Sequence, residues 1–295
     1  MRVLIVGVSG DVGQSLARRL LACGARVYGT SRRLPSDEIL RHREYDHISG
    51  SLGDRGTLDN LPLTEVDWIV YLAAAGVKAK TRIWPDCVEV NCYAPIEFLE
   101  RVRFVKVGSG NICKLLYCRT YYEDHTCANG LMRENPYALT KAVCTRIFRT
   151  IAPSVFANVG IATLYNTFGK DCLGVSVIPY AIACFRNKEI AEFGSGKAKK
   201  DWIYIDDAID VLLLAMDSNW SRCINEFDVG TGKLTSVKDL ILMIADIMGV
   251  SSDYYVFNSS NDRDDQSIED CASAFLPDWQ PNRDLRGRLE KMLLE

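Results

Sequence analysis

Arg2-Val-Leu-Ile-Val-Gly7-Val-Ser-Gly10-Asp-Val-Gly13-Gln-Ser-Leu-Ala-Arg-Arg-Leu-Leu21 decides the fold. Its opening residues are a short β-branched run, the pattern of a buried strand. From Gln14 to Leu21 apolar residues recur at helical spacing, and Gly24 supplies a stop. Between the two stand glycines at i, i+3 and i+6. In a strand-to-helix turn that spacing permits a tight bend. It also lets backbone N–H groups and the helix N-terminus approach a pyrophosphate. Gly7, Ser9, Gly10, Asp11, Val12 and Gly13 are therefore the first candidate cofactor-binding residues. A glycine-rich turn with no ligand is the competing reading, and the position after a first strand favours a dinucleotide.

The chain continues in the same alternation. Ala25-Arg-Val-Tyr-Gly29 is a second strand, followed by Thr30-Ser31-Arg32-Arg33. An NAD site usually has an acid here to bind the ribose 2′-hydroxyl, and none is present. Ser31, Arg32 and Arg33 can instead clamp a 2′-phosphate, which favours NADP over NAD; two solvated arginines are the rival reading. A third strand ends near His47-Ile48, and a fourth runs from Val66 into Leu72-Ala73-Ala74. Small side chains there leave room for a flat ligand. Residues 85–102 suggest a helix carrying Asn91, and Arg103-Phe-Val-Lys-Val107 a fifth strand ending at Ser109. Residues 111–133 suggest an irregular active-site loop, and Ala157–Tyr165 a sixth strand. The pattern predicts an α/β fold, a Rossmann-type doubly wound parallel sheet with a smaller C-terminal α/β substrate-binding domain. Expected boundaries are 1–168 for the dinucleotide-binding domain, with 202–228 returning to it, and 169–201 with 229–295 for the second.

A second stretch carries chemistry: Asn135-Pro-Tyr137-Ala-Leu-Thr-Lys141. Pro136 suits the first turn of a helix, and Tyr137 and Lys141, four apart, share a face. An ammonium beside a phenol favours the phenolate, so Lys141 is expected to lower the pKa of Tyr137. A Tyr so tuned exchanges a proton with a sugar oxygen while hydride moves on the adjacent carbon. The bland alternative is an aromatic and a cation on a solvated helix.

Composition narrows the classes. The 295-residue chain has net charge −3 and no basic cluster, which argues against nucleic acid as a partner. Its N-terminal apolar run is too short for the core of a signal peptide, and no segment approaches the ~20 apolar residues of a membrane span. A cytoplasmic location without a membrane partner is the expectation. The cysteines number 11, with no Cys-x2-Cys. Cys113, Cys118 and Cys127 with His125 lack zinc spacing, so reduced thiols and no metal are expected. Gly230-Thr-Gly-Lys-Leu234 lacks the hydroxyl and spacing of a phosphate loop.

Together, the Gly7-x2-Gly10-x2-Gly13 turn, Leu72-Ala73-Ala74, Asn91 and Tyr137-x3-Lys141 resemble the extended short-chain dehydrogenase/reductases, the NAD-dependent epimerase/dehydratase family. The resemblance covers nearly the whole chain. It implies Ser109, Tyr137 and Lys141 as catalytic residues. Asn166 and Gly169 resemble that family's Asn-x2-Gly beside the substrate phosphates. Gly194-x5-Lys200-Asp201-Trp-Ile-Tyr-Ile-Asp-Asp207 resembles a stretch typical of members acting on nucleotide sugars. The resemblance thus implies a nucleotide-diphosphate sugar held by Asn166, Lys200 and Arg263, and a homodimer. Three departures stand out. The usual Tyr-Gly after strand five is lost, and Gly110 and Asn111 replace the Asp-Glu pair of 4,6-dehydratases. An Arg usual near Asn166 gives way to Thr163 and Leu164. The expected function is an NADP-linked oxidoreductase, with NAD as the alternative, reducing a 4-keto sugar nucleotide. A nucleotide-sugar 4-epimerase is the close alternative, and a non-sugar carbonyl reductase a third. A non-catalytic NADP-binding sensor or scaffold is the rival of another class.

Overall fold

In the computed structural model the described residues are 1–109, 113–125, 135–170, 172, 176–220, 223–261 and 269–294. They fall into two units, 1–163 with 209–227 and 164–208 with 228–295. In chain order the strands begin β1 (Arg2–Val6), β2 (Arg26–Ser31), β3 (Tyr45–Ser49), β4 (Trp68–Tyr71), β5 (Lys114–Thr120) and β6 (Val159–Leu164). They continue β7 (Asn166–Phe168), β8 (Ala191–Phe193), β9 (Lys199–Tyr204), β10 (Ile224–Val229), β11 (Leu234–Ser236) and β12 (Tyr255–Phe257). The helices begin α1 (Asp11–Ala22), α2 (Asp37–Leu40), α3 (Arg55–Asp59), α4 (Trp84–Val88) and α5 (Ala94–Ser109). They continue α6 (Pro136–Ile151), α7 (Val177–Asn187), α8 (Ile205–Asp217), α9 (Val237–Ile247) and α10 (Leu285–Leu294).

The first unit is built on a seven-stranded sheet in the order β10-β6-β5-β4-β1-β2-β3. β1 runs parallel to β2 on one side and to β4 on the other. Strand order therefore reverses at β1, and in such sheets ligands bind outside the carboxyl ends of the strands at that point. The glycine turn follows β1 there, and Leu72–Ala74 follow β4. The fold is the Rossmann type that the alternation of strands and helices predicts. Its core is apolar and aromatic: the Tyr117 and Phe148 rings stack at 4.2 Å, and Tyr71 meets Phe148 at 4.9 Å. This cluster joins the sheet to α6, the helix that carries Tyr137 and Lys141.

The fifth strand is not where the sequence suggested. Arg103–Val107 lie inside α5, which runs on from α4 through a π-helical segment, Glu89–Tyr93, and ends at Ser109. Pro95 directly follows the π-helical segment, where the i→i−4 ladder is already interrupted, and no glycine interrupts before Gly108. Phe104 is 75% exposed, which suits a helix surface and not a central strand. The strand is Lys114–Thr120, inside the segment whose texture suggests an irregular loop, and Leu115 to Thr120 are buried throughout. Burial on both faces is the mark of a central parallel strand. Of that supposed loop, residues 111–112 and 126–133 lie outside the described residues.

The second unit holds a three-stranded sheet, β11-β9-β7, and a two-stranded one, β12-β8. β9 pairs antiparallel with β11 and parallel with β7. Beyond Asp270 the only helix among the described residues is α10. No helix among the described residues is long and apolar enough to cross a membrane.

Candidate active site

The turn after β1 shows what each glycine is for. Gly7 has φ +89°, and a Cβ there would sit 2.7 Å from the Ala73 backbone N. A Cβ on Gly13 would lie 2.6 Å from the Gly7 carbonyl oxygen. These two glycines let β1, the end of β4 and α1 close on one another. Gly10 differs: its φ is −78° and a Cβ would meet only the Gly7 oxygen, at an ordinary 3.5 Å. No protein atom requires a glycine at position 10. Gly10 is also the N-cap of α1 and provides no side-chain cap. The first amides of α1 thus lack the usual side-chain acceptor, and an open glycine cradle lies before them. These features fit the pyrophosphate of a dinucleotide.

Changing Gly10 to Ala should therefore leave thermal stability nearly unchanged but weaken dinucleotide binding by about tenfold, ~1.4 kcal/mol. Gly13→Ala should instead destabilise the fold by ~1–3 kcal/mol through overpacking. Thermal melts and NADPH titrations of the two variants check the contrast. Equal affinity of Gly10→Ala and the parent would remove the glycine cradle from cofactor binding.

The remaining cofactor candidates have these places. Ser31 ends β2, and its hydroxyl donates to the Arg33 carbonyl at 2.6 Å, while Arg32 and Arg33 are exposed. Leu72, Ala73 and Ala74 follow β4 and are half-buried. Asn91 is fully buried in the π-helical segment. Its Oδ1 accepts from Ala75 N at 2.9 Å, and its Nδ2 donates to Ala75 O at 3.0 Å and Thr140 Oγ1 at 2.9 Å. Asn91 thus ties the segment after β4 to the helix of Tyr137. Gly76, with φ +83°, completes that junction: a Cβ would be 3.1 Å from the Tyr137 Cβ.

Local sequence explains why α6 starts where it does. Asn135 caps it, Oδ1 accepting from the amides of Tyr137 and Ala138, and Pro136 opens the first turn. Tyr137 is buried, 9% exposed, and its phenol is hydrogen-bonded by the side chain of Thr120. The pKa of Tyr137 is raised, not lowered. Burial is the largest cause, the Thr120 hydrogen bond opposes it, Glu123 and Tyr122 add to it, and Arg82 opposes it. The expectation that Lys141 pulls this phenol down is corrected here. Lys141 Nζ donates to Tyr117 Oη at 2.8 Å and to the Cys118 carbonyl at 3.0 Å.

Ser109 closes α5 rather than a strand. The residue at the carboxyl end of β5, beside Tyr137, is Thr120. Sequence reasoning missed it, and with it Tyr117, Arg119, Glu123 and Arg82. One signal was available: Leu115-Leu-Tyr-Cys118 is an unbroken apolar run, with the hydroxyl residue Thr120 two positions beyond it. In the second unit Lys200 is buried in β9, and Asn166 Nδ2 donates to the Asp201 carbonyl at 3.2 Å. Arg263 lies outside the described residues, as do Gly110, Asn111 and Cys127. Among the described residues no group of His, Cys, Asp and Glu is arranged to hold a metal.

Known proteins resemble this chain at several levels. The family model described as the NAD dependent epimerase/dehydratase family matches residues 3–230. CDP-abequose synthase of Yersinia pseudotuberculosis is 24% identical over 257 residues, covering 84% of each chain. UDP-glucose 4-epimerase of Mycolicibacterium smegmatis is 24% identical over 269 residues, 84% of this chain and 83% of its own. UDP-glucuronic acid 4-epimerase from Bacillus cereus, solved with UDP-glucuronic acid and NAD, superposes with a TM-score of 0.81 at 18% identity. That match covers 99% of this chain and 98% of the other.

Proposed function

The chain belongs to the NAD dependent epimerase/dehydratase family, and from that premise we propose that it is an NADP(H)-linked oxidoreductase reducing a 4-keto sugar nucleotide. The supporting observation is the buried hydroxyl pair, Thr120 against Tyr137, with the Tyr137 phenol held protonated by its surroundings. A protonated phenol is a ready general acid for a ketone oxygen. Bound NADPH supplies the hydride to the sugar carbon. Tyr137 gives the proton to the oxygen, so that the ketone gains both and becomes an alcohol. Thr120 hydrogen-bonds that oxygen as charge develops on it, the role first assigned to Ser109. Lys141 has one ammonium hydrogen beyond those spent on Tyr117 and Cys118, and it serves the nicotinamide ribose.

NADP rather than NAD is part of the proposal, supported by Ser31 and the exposed Arg32 and Arg33 with no acid at the end of β2. Asn166 and Lys200 stand as the residues for the substrate diphosphate, with Arg263 from the sequence resemblance. The homodimer is likewise proposed; its support is the apolar surface of the α5 and α6 helices and the π-helical segment before α5, including Tyr93, Phe104 and Val143.

A nucleotide-sugar 4-epimerase is the second reading, favoured by the similarity to UDP-glucose 4-epimerase. One measurement separates the two. A reductase consumes one NADPH per 4-keto sugar nucleotide converted. An epimerase interconverts sugar nucleotides with no net cofactor consumption. Stoichiometric loss of NADPH absorbance, faster than loss of NADH, is the expected result. Conversion of UDP-glucose to UDP-galactose without net oxidation would replace the reductase by the epimerase.

A further inference from the structure

Behind Tyr137 lies a buried polar chain that the proposed chemistry does not yet use. Glu123 is 5% exposed, Arg119 7%, Thr145 2%, and Tyr117 is fully buried. Glu123 Oε1 accepts from the Thr120 amide at 3.0 Å, and Oε2 accepts from Arg119 Nε at 3.3 Å and from the Thr145 hydroxyl. Tyr117 Oη and Thr145 Oγ1 are 3.0 Å apart, and Lys141 Nζ donates to Tyr117 Oη at 2.8 Å.

Hydroxyl chemistry fixes the direction of this chain. With Glu123 ionised, Thr145 gives its one hydroxyl hydrogen to the carboxylate, so the Tyr117–Thr145 bond is donated by Tyr117, whose hydroxyl also has the Cys144 thiol as a neighbouring hydrogen-bond partner. The Tyr117 oxygen is then free to accept from Lys141. Every donor points the same way, from the Lys141 ammonium through two hydroxyls to the Glu123 carboxylate. The ammonium also lies 4.5 Å from the Tyr117 ring centroid. Two of the three Lys141 hydrogens are thereby placed, and the direction of the third follows from them.

We propose that Glu123 is a positioning residue for Lys141, acting through Thr145 and Tyr117 to fix the one ammonium hydrogen left for the nicotinamide ribose. This rests on the dinucleotide-linked reading given above. Other charged or titratable groups face Glu123 as well. Arg119 on β5 pairs with it and with Asp124, and Lys141 and Cys144 approach from α6. Burial raises the pKa of Glu123, while Lys141 and Arg119 oppose that shift and favour the carboxylate.

Removing Glu123 outright would also release the Thr120 amide, so the test uses gentler changes. Tyr117→Phe deletes only the middle hydroxyl and keeps the ring stacked on Phe148. Glu123→Gln keeps an acceptor for Thr120 but puts a donor opposite the Thr145 hydroxyl. Nitrogen-15 lysine spectra of the dinucleotide-free protein give the first readout. The Lys141 ammonium, identified by its loss in Lys141→Met, should give a protected cross-peak. Both gentler variants should move that peak and speed its solvent exchange several-fold. NADPH titration gives the second readout. Each variant should bind about 5–10-fold more weakly, and neither should weaken binding further in a Lys141→Met background.

An unmoved cross-peak in Glu123→Gln and Tyr117→Phe overturns the proposal, as do additive losses in the cycle with Lys141→Met. If the parent protein binds neither NADPH nor NADH, the dinucleotide reading falls. The spectra would still decide whether Glu123 orders Lys141.

Discussion

Tyr137→Phe should cut turnover by about 10³-fold or more, within the range for loss of a positioned acid, while NADPH binds as before. The phenyl ring keeps the packing of a side chain that is 9% exposed, so the melting temperature should hold. Only the hydroxyl facing Thr120 is lost. The raised pKa adds a sign. A group raised above its ordinary value stays protonated through neutral pH and loses its proton only as pH climbs through the folded value. Ketone reduction uses the protonated phenol, so the step that draws on Tyr137 should be flat from neutral into alkaline pH. Alcohol oxidation uses the phenolate, whose small population grows tenfold per pH unit over the same range. Rates measured in both directions between pH 6 and ~10 would show this asymmetry, pH 10 being the ordinary phenol pKa. Undiminished turnover of Tyr137→Phe would take Tyr137 out of the mechanism. A reduction rate that rises with pH would mean that the phenol is not the acid.

How far the sequence led depends on where the deciding contacts lie. The β1 strand, glycine turn and α1 were legible because their cause is local: β-branched residues, two glycines pressed by neighbouring backbone, and a periodic helix. The start of α6 was legible for the same reason, since Asn135 and Pro136 act within one turn. Strand β5 was not. Arg103-Phe-Val-Lys-Val107 has more of a strand's local texture than Lys114-Leu-Leu-Tyr-Cys-Arg-Thr120, whose charged residues look wrong for a sheet interior. Both charges are settled by partners elsewhere. Lys114 lies over the Trp68 ring at 5.2 Å, and Arg119 pairs with Glu123 and Asp124. The misplaced strand carried Ser109 into the role proposed above for Thr120. The spacing of Tyr137 and Lys141 was informative about a shared helix face and silent about the ammonium's own partners. Those come from β5, through Tyr117 and Cys118.

The second large effect is expected in the other unit, at a residue the sequence grouped with the substrate motif but gave no role. Asp201→Ala should destabilise the unit built around β9 by ~4 kcal/mol, the cost of leaving several donors without their acceptor. Asp201 is fully buried. Its Oδ1 accepts from the Thr231 amide at 2.8 Å and the Thr231 hydroxyl at 2.6 Å. Its Oδ2 accepts from the amides of Gly232 at 2.8 Å and Ala272 at 3.1 Å. The glycine loop at 230–232 thus does wrap an anion, but one supplied by the chain itself. Alanine would leave two buried amides and the half-buried Gly232 amide without an acceptor, a buried one costing ~1–3 kcal/mol, offset in part by no longer burying a charge. Asp201→Asn, keeping one oxygen, should lose about half as much. Side chains alternate along a strand, so Lys200 and Trp202 project from the face of β9 opposite Asp201. Loosening the Asp201 side frees β9 to shift, and Lys200 with it. Sugar-nucleotide affinity should therefore fall in Asp201→Asn while NADPH affinity, expected from the glycine turn of the other unit, holds. Urea unfolding and paired titrations measure both. If Asp201→Ala unfolds at the same urea concentration as the parent, the carboxylate is not what holds the loop at 230–232 and the segment at Ala272 onto β9.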